Sequence, residues 1–540
     1  MEKDLSKPKP QYAKVSKVAF LCCAVACVLF FGPMMIFSSQ AQNYVNIGMH
    51  AITYTTDWIW ELVVFGCLVF VIWLAFGPYG KVKLGKADEK PDFSTFTWIA
   101  MMFCAGTGGA LVYWGMVEPM YYMMYPPYWT DPLSAQSAQY ALSYGFLHWG
   151  LSAWATFAVP AVAFGYIYYV RRQPYLYPSY ACRTILGPRI ADGWVGKVIN
   201  ALIAFGMVGG MATSLGFIIP MTTALFSDYA HIGDTVLLKF IFSLLFAVIY
   251  GWSAYNGLKG GIAKLADFNM WIAFALIAFI LIVGHPSFYL SLFSDNLGVY
   301  LNQFFRMSFY TDPITKSGFP QDWTVFYWAW WLAYAIYMGL FCAKISKGRT
   351  IRSVVLVMCI SGTVACMVYF TVFGGYIVDA TLNKGIDLPS ILNNLGGTAI
   401  VTWLMNDLPG SFIVIPAIIF YLIIATATGT DAASYTLANM TCFEVKQGVE
   451  PPKWNRLFWA FMIFAGSFAL MLVGGMDAVK LASVLTAIPV LPLTIILGIS
   501  LVLWLKKDFG TAKELTTDEY HDEDEDENAF VTSMAEEGKN

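Results

Sequence analysis

The sequence predicts an all-α integral membrane protein with about twelve transmembrane helices. Hydrophobic residues make up 58% of the chain and charged residues only 12%, and the mean hydropathy is +0.60. This composition excludes an ordinary soluble protein. Apolar runs long enough to cross a bilayer recur along almost the whole length. One large helical domain is therefore expected rather than several soluble ones.

The apolar runs give the approximate positions of the spans. The first run is too long for the hydrophobic region of a signal peptide, so we expect it to be retained as a span. The predicted spans are 18–37, 57–77, 96–122, 140–170, 196–225, 237–253, 268–292, 323–343, 353–375, 411–440, 455–474 and 481–505.

Positive charge is distributed unevenly between the two sets of loops. With the N-terminus inside, the loops on that side are rich in lysine and arginine, such as Lys81, Lys83, Arg171 and Arg172. The loops on the other side carry few. These are Arg306, Lys316, Lys384 and Lys480. Because cytoplasmic loops collect lysine and arginine, we predict that both termini are cytoplasmic.

Polar tails flank the predicted membrane domain, 17–507. Residues 1–16 form a lysine-rich N-terminal tail, and residues 508–540 form an acidic C-terminal tail. The second tail contains an unbroken acidic run from Asp522 to Glu527. Such a run is typical of a solvated, disordered tail, and a regulatory segment that senses the membrane or salt is the alternative.

Two longer outer segments lie at 293–322 and 376–410. Short apolar pieces overlap them, at 287–305 and 388–404. We expect them to form helices that lie along the membrane surface.

The most unusual stretch begins at Trp323 and reads WTVFYWAWWLAYAIYM. On a helix, one face about 100° wide carries five of its side chains. These are Tyr327, Trp330, Trp331, Tyr334 and Met338. Aromatic faces attract cations, and a ring of them can enclose a methylated ammonium group that has few N–H donors to offer. The alternative is that aromatic residues at helical spacing form ordinary core packing.

The third span contains the glycine-rich sequence CAGTGGA from Cys104 to Ala110. Each glycine weakens a helix by roughly 1 kcal/mol relative to alanine. Unwound backbone in a membrane occurs only where it is buried in protein or lines a cavity, so a break here would mark a site. Close helix packing through small residues is the alternative. Further along the same span, Glu118 is an acid inside the membrane, with either a structural or gating role or direct contact with a ligand.

Other kinds of chemistry have little support in the sequence. The ten cysteines show no paired CxxC spacing, so neither a metal site nor a disulfide framework is indicated. No nucleotide-binding loop, zinc spacing or nucleophile–base pair appears. We therefore expect no enzyme activity, no organic cofactor and no nucleic-acid partner.

Three motifs resemble a known family. They are TDPITKSGFPQDWTVFYWAWW (Thr311 to Trp331), SYTLANMTCFEV (Ser434 to Val445) and EPP (Glu450 to Pro452). Through these motifs, the sequence of residues 77–507 resembles the betaine/choline/carnitine transporter family. The motifs most resemble the carnitine/γ-butyrobetaine antiporter branch of that family. The resemblance implies a secondary transporter in a bacterial or archaeal plasma membrane, assembled as a homotrimer. A channel is the rival class of membrane protein.

The resemblance also implies an inverted-repeat fold. Spans three to seven and eight to twelve would form two five-helix repeats, 96–292 and 323–505, after two N-terminal helices. Because each unit has an odd number of helices, the second must run inverted relative to the first. The binding site of such folds lies near the middle of the membrane, between the repeats.

Substrate-binding residues follow from the same resemblance. An aromatic box would combine the face around Trp331 with residues of the third and fourth spans. Those residues are Tyr121, Trp149, Trp154 and Phe157. Choline-type members carry an acid near the end of the glycine motif, where this chain has Ala110, which favours a substrate with its own carboxylate. The substrate would be carnitine, betaine or a related trimethylammonium compound, and a smaller methylamine is the alternative.

Residues of the seventh, eighth and tenth spans bear on the coupling ion. In sodium-coupled relatives two hydroxyls of the tenth span bind Na⁺. This chain keeps one, Thr428, and has Gly429 in place of the other. Sodium-independent antiporters use an arginine and a methionine instead, and here Met338 matches the methionine whereas Asn269 replaces the arginine. We therefore predict Na⁺ symport. The Na⁺ site would be formed by Cys104 and Thr107 together with Thr428 and Gly429. Na⁺-independent substrate–product antiport is the alternative.

Overall fold

The computed structural model describes residues 12–107, 109–173, 177–256, 261–442, 449–473 and 475–510. Within these ranges, eleven helices are long and apolar enough to cross a membrane. A twelfth span results if two helices joined at a 57° bend are counted as one. This confirms the predicted all-α membrane protein with about twelve spans. Most of the N-terminal tail, Gly108 and the acidic run of the C-terminal tail lie outside the described residues.

The first half of the chain contains the helices up to the first outer segment. A turn of π-helix, Tyr166–Val170, extends the fourth span. The helices are α1 (Lys17–Ile36), α2 (Ser38–Phe76), α3 (Thr95–Thr107), α4 (Ala110–Met124), α5 (Ala135–Trp149), α6 (Leu151–Gly165), α7 (Pro178–Ala181), α8 (Arg183–Leu186), α9 (Pro188–Ala191), α10 (Trp194–Tyr229), α11 (Val236–Asn256), α12 (Gly261–Val283) and α13 (Pro286–Ser308).

The second half begins with the aromatic stretch. Three further π-helical turns, Pro320–Thr324, Phe370–Gly374 and Asp379–Asn383, adjoin its first two spans. The helices are α14 (Val325–Ile345), α15 (Ile351–Tyr369), α16 (Gly375–Val378), α17 (Leu388–Leu395), α18 (Gly397–Asp407), α19 (Ser411–Met440), α20 (Lys453–Val473), α21 (Gly475–Ala487) and α22 (Val490–Phe509).

The third span is broken where the glycines predicted it. Helix α3 ends at Thr107 and α4 begins at Ala110, and the two are bent by 57° relative to each other. The exposed face of a lipid-facing helix would not tolerate such a break, because freed carbonyls need partners. Here both sides of the break are buried in protein.

The fourth span, Ala135–Val170, covers the predicted range 140–170, and within it Gly150 separates α5 from α6. Two other predicted boundaries were wrong. The seventh ends at Val283 rather than near residue 292, since Pro286 cannot continue a helix and instead occupies the first turn of α13. The second helix begins at Ser38, well before residue 57, although only His50–Phe76 has the composition of a span.

The aromatic helix α14 lies at the centre of the molecule. Nearly every residue from Val325 to Ile345 is buried. It packs against α6, α10 and α21, and also contacts α2. A helix that is apolar all round is stable in such a position, surrounded by other helices rather than by lipid. This central packing gives each face of α14 a different neighbour, and one of these faces carries the candidate site.

Candidate functional site

Four aromatic side chains from α5 and α14 meet beside the Gly150 break. We call Trp149, Tyr327, Trp330 and Trp331 the aromatic cage. Their side chains are at most 3% exposed. The ring centroid of Trp149 lies 4.8 Å from Trp331, 5.7 Å from Tyr327 and 5.9 Å from Trp330. The structure thus brings the predicted tryptophan of the fourth span onto the predicted face of α14.

The ring planes of the cage present faces in two directions. Trp330 and Trp331 stack with centroids 5.0 Å apart and planes only 10° apart. Trp149 is nearly perpendicular to them, at 85° and 75°. Perpendicular rings can direct two negative faces at one point, as a bound cation requires. In this conformation the rings of Trp149 and Trp331 contact each other, with centroids 4.8 Å apart.

A break in the fourth span fixes the position of Trp331. Gly150 interrupts the helix directly after Trp149. The backbone carbonyl of His148, one residue earlier, accepts a 2.7 Å hydrogen bond from the indole nitrogen of Trp331. A carbonyl inside a regular helix is normally taken by the amide four residues later. The interruption therefore gives the cage a fixed acceptor on the neighbouring helix.

Glu118 holds two cage side chains with one oxygen. This carboxylate lies on α4 and is fully buried. Its Oε2 accepts a hydrogen bond from the Trp149 indole at 2.9 Å and from the Tyr327 hydroxyl at 2.7 Å. Hydrogen bonds to a charged acceptor are stronger than neutral ones. The sequence marked Glu118 as an acid inside the membrane, but its partners come from two distant segments and no local signal identifies them.

His148 joins the same hydrogen-bond network through contacts with Glu118, Tyr122 and Thr324. Its Nδ1 lies 3.3 Å from Glu118 Oε1 and 2.8 Å from the Tyr122 hydroxyl, and its Nε2 lies 3.1 Å from Thr324 Oγ1. The imidazole also stacks on Tyr327, with ring centroids 4.8 Å apart. His148 is therefore a positioning residue whose polar atoms are fully occupied by α4 and the start of the aromatic stretch.

Phe157, Trp154 and Tyr334 lie next to the cage, on the side of Trp331. Phe157 on α6 lies 5.8 Å from Trp331, 5.8 Å from Trp154 and 6.4 Å from Tyr334, measured between ring centroids. A Cβ added at Gly106 would lie 3.0 Å from the Trp154 ring and 3.1 Å from the Met338 methyl. Trp154 and Met338 therefore lie directly against the glycine-rich end of α3.

Tyr121 is the one aromatic candidate that lies apart from these contacts. Its ring lies 5.2 Å from Trp323. It also lines a separate cavity of about 600 Å³, which we call the vestibule and which contains Phe319, Asp322 and Lys480 as well. The next residue, Tyr122, instead turns towards His148. Tyr121 thus lies in the wall of the vestibule.

The four candidate ion ligands lie where α3 and α19 approach each other. A Cβ added at Gly429 would be 3.8 Å from the Cys104 carbonyl oxygen and 3.9 Å from that of Ala105. The Thr107 and Thr428 hydroxyls each donate a 2.9 Å hydrogen bond to a carbonyl of their own helix. A donating hydroxyl keeps lone pairs for a cation. Carbonyl and hydroxyl oxygens suit a hard cation such as Na⁺, and no cluster of three or more histidine, cysteine or acidic residues occurs in the part of the chain that the structure describes.

Asn269 completes the surroundings of Cys104. It lies on α12, is 2% exposed, and its side-chain nitrogen is 3.8 Å from the Cys104 sulfur. The Tyr337 hydroxyl of α14 donates a 3.1 Å hydrogen bond to the Gly429 carbonyl. The candidate ion region is therefore connected to the helix that carries the cage.

A family model matches most of the chain. The model, described as the betaine/carnitine/choline family transporter, matches residues 18–510. This range contains every spanning helix from α2 to α22 and nearly all of α1. It does not distinguish the branches of the family. The chain is a multi-pass membrane protein that belongs to the betaine/carnitine/choline transporter family.

Proposed function

We propose that this protein is a secondary active transporter of a small methylated or quaternary ammonium compound, such as carnitine, betaine or a related trimethylammonium substrate. The observation that supports this is the convergence of Trp149, Trp330 and Trp331 at ring-centroid distances of 4.8–5.9 Å. Edge-to-face contacts are common in aromatic packing, and the distinguishing feature of this cluster is that three indoles from two helices meet at one buried place. A ring face on two sides is what an ammonium without N–H donors needs.

The affinity expected of this cage suits a transporter. Each desolvated cation–π contact contributes about 0.5–2 kcal/mol. Four such contacts, less the cost of association, correspond to binding in the micromolar to millimolar range. A site of that strength can release its substrate on the far side of the membrane. Much tighter binding would slow release.

The transport step follows from the two helices that form the cage. Trp149 is carried by α5, and the other three rings are carried by α14. If α5 and α14 separate at one end, the cage opens to that side, and if they separate at the other end, it opens to the opposite side. In the closed arrangement Glu118 and His148 hold the rings together through hydrogen bonds to α5, α14 and the turn before α14, and separation of α5 from α14 would break some of these bonds. This is alternating access around a fixed site.

Na⁺ symport is the coupling that we propose. Gly429 leaves room beside the carbonyls of Cys104 and Ala105, and Asn269 leaves this region without the fixed positive charge of an arginine. A cation bound there would join α3 to α19 and so favour one arrangement of the helices. Na⁺-independent antiport is the second candidate, supported by the Met338 methyl close to Gly106. We also propose the orientation with both termini cytoplasmic, as the loop charges predict.

Uptake by purified protein in liposomes tests these proposals. Radiolabelled glycine betaine, carnitine and trimethylamine would each be offered with an inward Na⁺ gradient, with Na⁺ equal on both sides, and with K⁺ replacing Na⁺. Saturable uptake that needs the Na⁺ gradient supports symport. Equally fast uptake without Na⁺, stimulated by substrate inside the liposomes, would replace symport by antiport. No saturable uptake of any methylated ammonium compound would refute the proposed function.

The variant Asn269→Arg tests whether the coupling ion binds near Cys104. Asn269→Arg places a tethered positive charge next to Cys104, where the proposed cation lies. We expect this variant to lose most of its dependence on Na⁺ while retaining part of its uptake. Unchanged Na⁺ dependence in a well-folded Asn269→Arg protein would place the ion elsewhere.

A further inference from the structure

Two buried acids of α2 are members of neither the aromatic cage nor the candidate ion region. Asp57 and Glu61 lie one turn apart within the span His50–Phe76, and they are 9% and 2% exposed. Residues four apart on a helix are neighbours on one face. The same face of α2 buries Val64 and packs against other helices. Acids at such a position in a span are costly and therefore point to a function.

The charge of these two acids is not compensated by a basic residue. Within the described part of the chain, neither Asp57 nor Glu61 forms an ion pair with a lysine, arginine or histidine, and the buried Oε1 of Glu61 accepts no hydrogen bond. A buried carboxylate without a partner is unfavourable, and a second carboxylate beside it adds repulsion between like charges. The pair therefore requires a positive charge that the described side chains do not supply.

Gln321 brings a further oxygen to this place from another segment. It lies on the π-helical turn Pro320–Thr324 and is 2% exposed. Its side-chain nitrogen donates a 2.7 Å hydrogen bond to Asp57 Oδ2 and a 2.8 Å hydrogen bond to the Thr311 carbonyl. Because both partners are acceptors, the amide must turn its nitrogen towards them. Its oxygen, Oε1, is left buried without a hydrogen bond.

We propose that Asp57, Glu61 and Gln321 form a binding site for a hard metal cation, separate from the candidate ion region between α3 and α19. Carboxylate and amide oxygens are the ligands that such cations take in proteins. A cation here would compensate the two carboxylates and use the free oxygens of Glu61 and Gln321. Two carboxylates favour Ca²⁺ over Na⁺, because a single positive charge would leave one of them uncompensated.

The proposed site would join α2 to the segment that leads into the cage. The turn that carries Gln321 ends at Thr324, and α14, which carries three of the four cage rings, begins at the next residue. A cation that binds only while α2 and this turn are in contact stabilises that arrangement. Binding of the cation does not depend on the proposed transport function. It can therefore be measured on purified protein without any substrate.

Thermal unfolding in detergent tests the site. The protein is first treated with EDTA and transferred to a buffer in which Tris is the only cation. It is then heated with CaCl₂, with NaCl or with neither. Because a ligand of the folded state raises the Tm, we expect a saturable rise of about 2 °C or more with Ca²⁺.

Glu61→Gln distinguishes a cation ligand from a residue that only packs α2. The substitution keeps the shape of the side chain and removes one of the two like charges. We therefore expect this variant to lose the rise with Ca²⁺, and without metal to have a Tm at least as high as that of the wild type. A Tm that is lower without metal but still rises with Ca²⁺ would show a packing role and refute the site.

Three further variants complete the comparison. Asp57→Asn should also lose the response to Ca²⁺, and it replaces Glu61→Gln if that protein cannot be purified. Asn269→Arg changes only the candidate ion region between α3 and α19, so it should keep the response. Asp407→Asn is the matched control and should respond as the wild type does. Asp407 is an exposed acid whose carboxylate accepts a 2.6 Å hydrogen bond from the Tyr376 hydroxyl.

The outcomes separate this site from the coupling ion of the proposed function. A saturable response to Na⁺ instead of Ca²⁺, lost in Glu61→Gln and kept in Asn269→Arg, supports the site with Na⁺ as its ion. A response lost in Asn269→Arg and kept in Glu61→Gln belongs to the coupling ion, so it refutes this inference and leaves the proposed function intact.

Two other results would also refute the metal site. An equal response in every variant would be a general effect of salt. The other is the absence of a rise with either ion. If the wild-type Tm then falls with rising pH, and that of Glu61→Gln does not, the two carboxylates hold a proton in place of a metal.

Discussion

Trp331 is the residue on which the contacts of the cage converge. Its ring stacks on Trp330, meets Trp149 and Phe157 edge to face, and donates a hydrogen bond to the His148 carbonyl. We predict that Trp331→Leu raises the KM for uptake by about fivefold or more, since it removes one cation–π contact and frees the neighbouring rings. Trp330→Leu should act in the same direction. The measurement is initial uptake rate against substrate concentration in liposomes.

A tryptophan away from the cage serves as the control for these variants. Trp271 on α12 is 62% exposed on the surface of the helix bundle. Trp271→Leu should leave the KM unchanged at equal protein abundance. Normal uptake by a well-expressed Trp331→Leu protein would mean that the cage does not bind the substrate.

Glu118 is predicted to act through its hydrogen bonds rather than through its charge. In Glu118→Gln the amide oxygen can still accept from the Trp149 indole and the Tyr327 hydroxyl, so we expect the KM to stay within about threefold of wild type. In Glu118→Ala both donors lose their partner in a buried position, at a cost of about 1–3 kcal/mol each. We therefore expect the KM of Glu118→Ala to rise by about tenfold or more.

The comparison of these two variants decides what Glu118 does. If Glu118→Gln is impaired as severely as Glu118→Ala, the negative charge itself attracts the substrate cation, and Glu118 is part of the binding site. If neither variant is impaired, the network around the cage does not orient its rings. Intrinsic tryptophan fluorescence during substrate titration gives binding separately from transport.

At the scale of helices, the backbone conformation at Gly150 determines where Trp149 and the His148 carbonyl lie relative to Trp331. A Cβ at this position would overlap the carbonyl oxygen of Phe146. We predict that Gly150→Ala shifts the end of α5, moves Trp149 and the His148 carbonyl away from Trp331, and raises the KM for uptake. The variant should also be less stable in detergent, because backbone cannot yield as a flexible side chain can.

Gly115 gives a matched comparison on the neighbouring span. It lies inside α4, where an added Cβ would meet its nearest neighbour, Phe373, at 3.8 Å, an ordinary contact distance. Gly115→Ala should therefore preserve both the KM and the thermal stability. Equal effects of the two substitutions would indicate a general sensitivity of these helices and not a special requirement at Gly150.

Helical periodicity explains which parts of the site could be predicted. The face of α14 with Tyr327, Trp330 and Trp331 follows from spacing within one segment, and the break of the third span follows from three glycines within four residues. Gly150 gave no such signal, because a single glycine in an apolar run is common in spans. The bonds of Glu118 to Trp149 and Tyr327 join three segments, so they depend on packing that the sequence does not encode locally.

The same reasoning explains where the predictions failed. Lys480 was assigned to a loop because a lysine normally ends a span. The structure buries it over Trp323, an environment created by a different helix. Tyr121 was grouped with the box by resemblance. It lines the vestibule, and its part in binding stays a prediction.

At the scale of the whole molecule, hydrogen bonds join the C-terminal end of the last helix to the C-terminal end of the fourth span. Arg171 donates two hydrogen bonds to the Asp508 carboxylate, at 3.0 and 3.1 Å, and the Tyr166 hydroxyl donates a third at 2.6 Å. The Arg171 and Asp508 side chains are only 8% and 2% exposed. The Tyr79 hydroxyl also donates to the Gly510 carbonyl. These contacts of the last helix therefore involve Asp508 and Gly510.

This contact predicts where the C-terminal tail can be removed. Truncation after Gly510 keeps the Arg171–Asp508 pair, and a hydrated acidic run cannot line a path through lipid. We therefore expect an unchanged KM in liposomes of neutral lipid and an unchanged Tm in detergent. Asp508→Ala in the full-length chain removes the two hydrogen bonds that Arg171 donates to this carboxylate in a nearly buried position, so we expect the Tm to fall by about 5 °C or more. A raised KM after truncation at Gly510 would contradict the prediction and give the tail a part in transport, whereas an unchanged Tm in Asp508→Ala would mean that the pair is not what holds α22 to the fourth span.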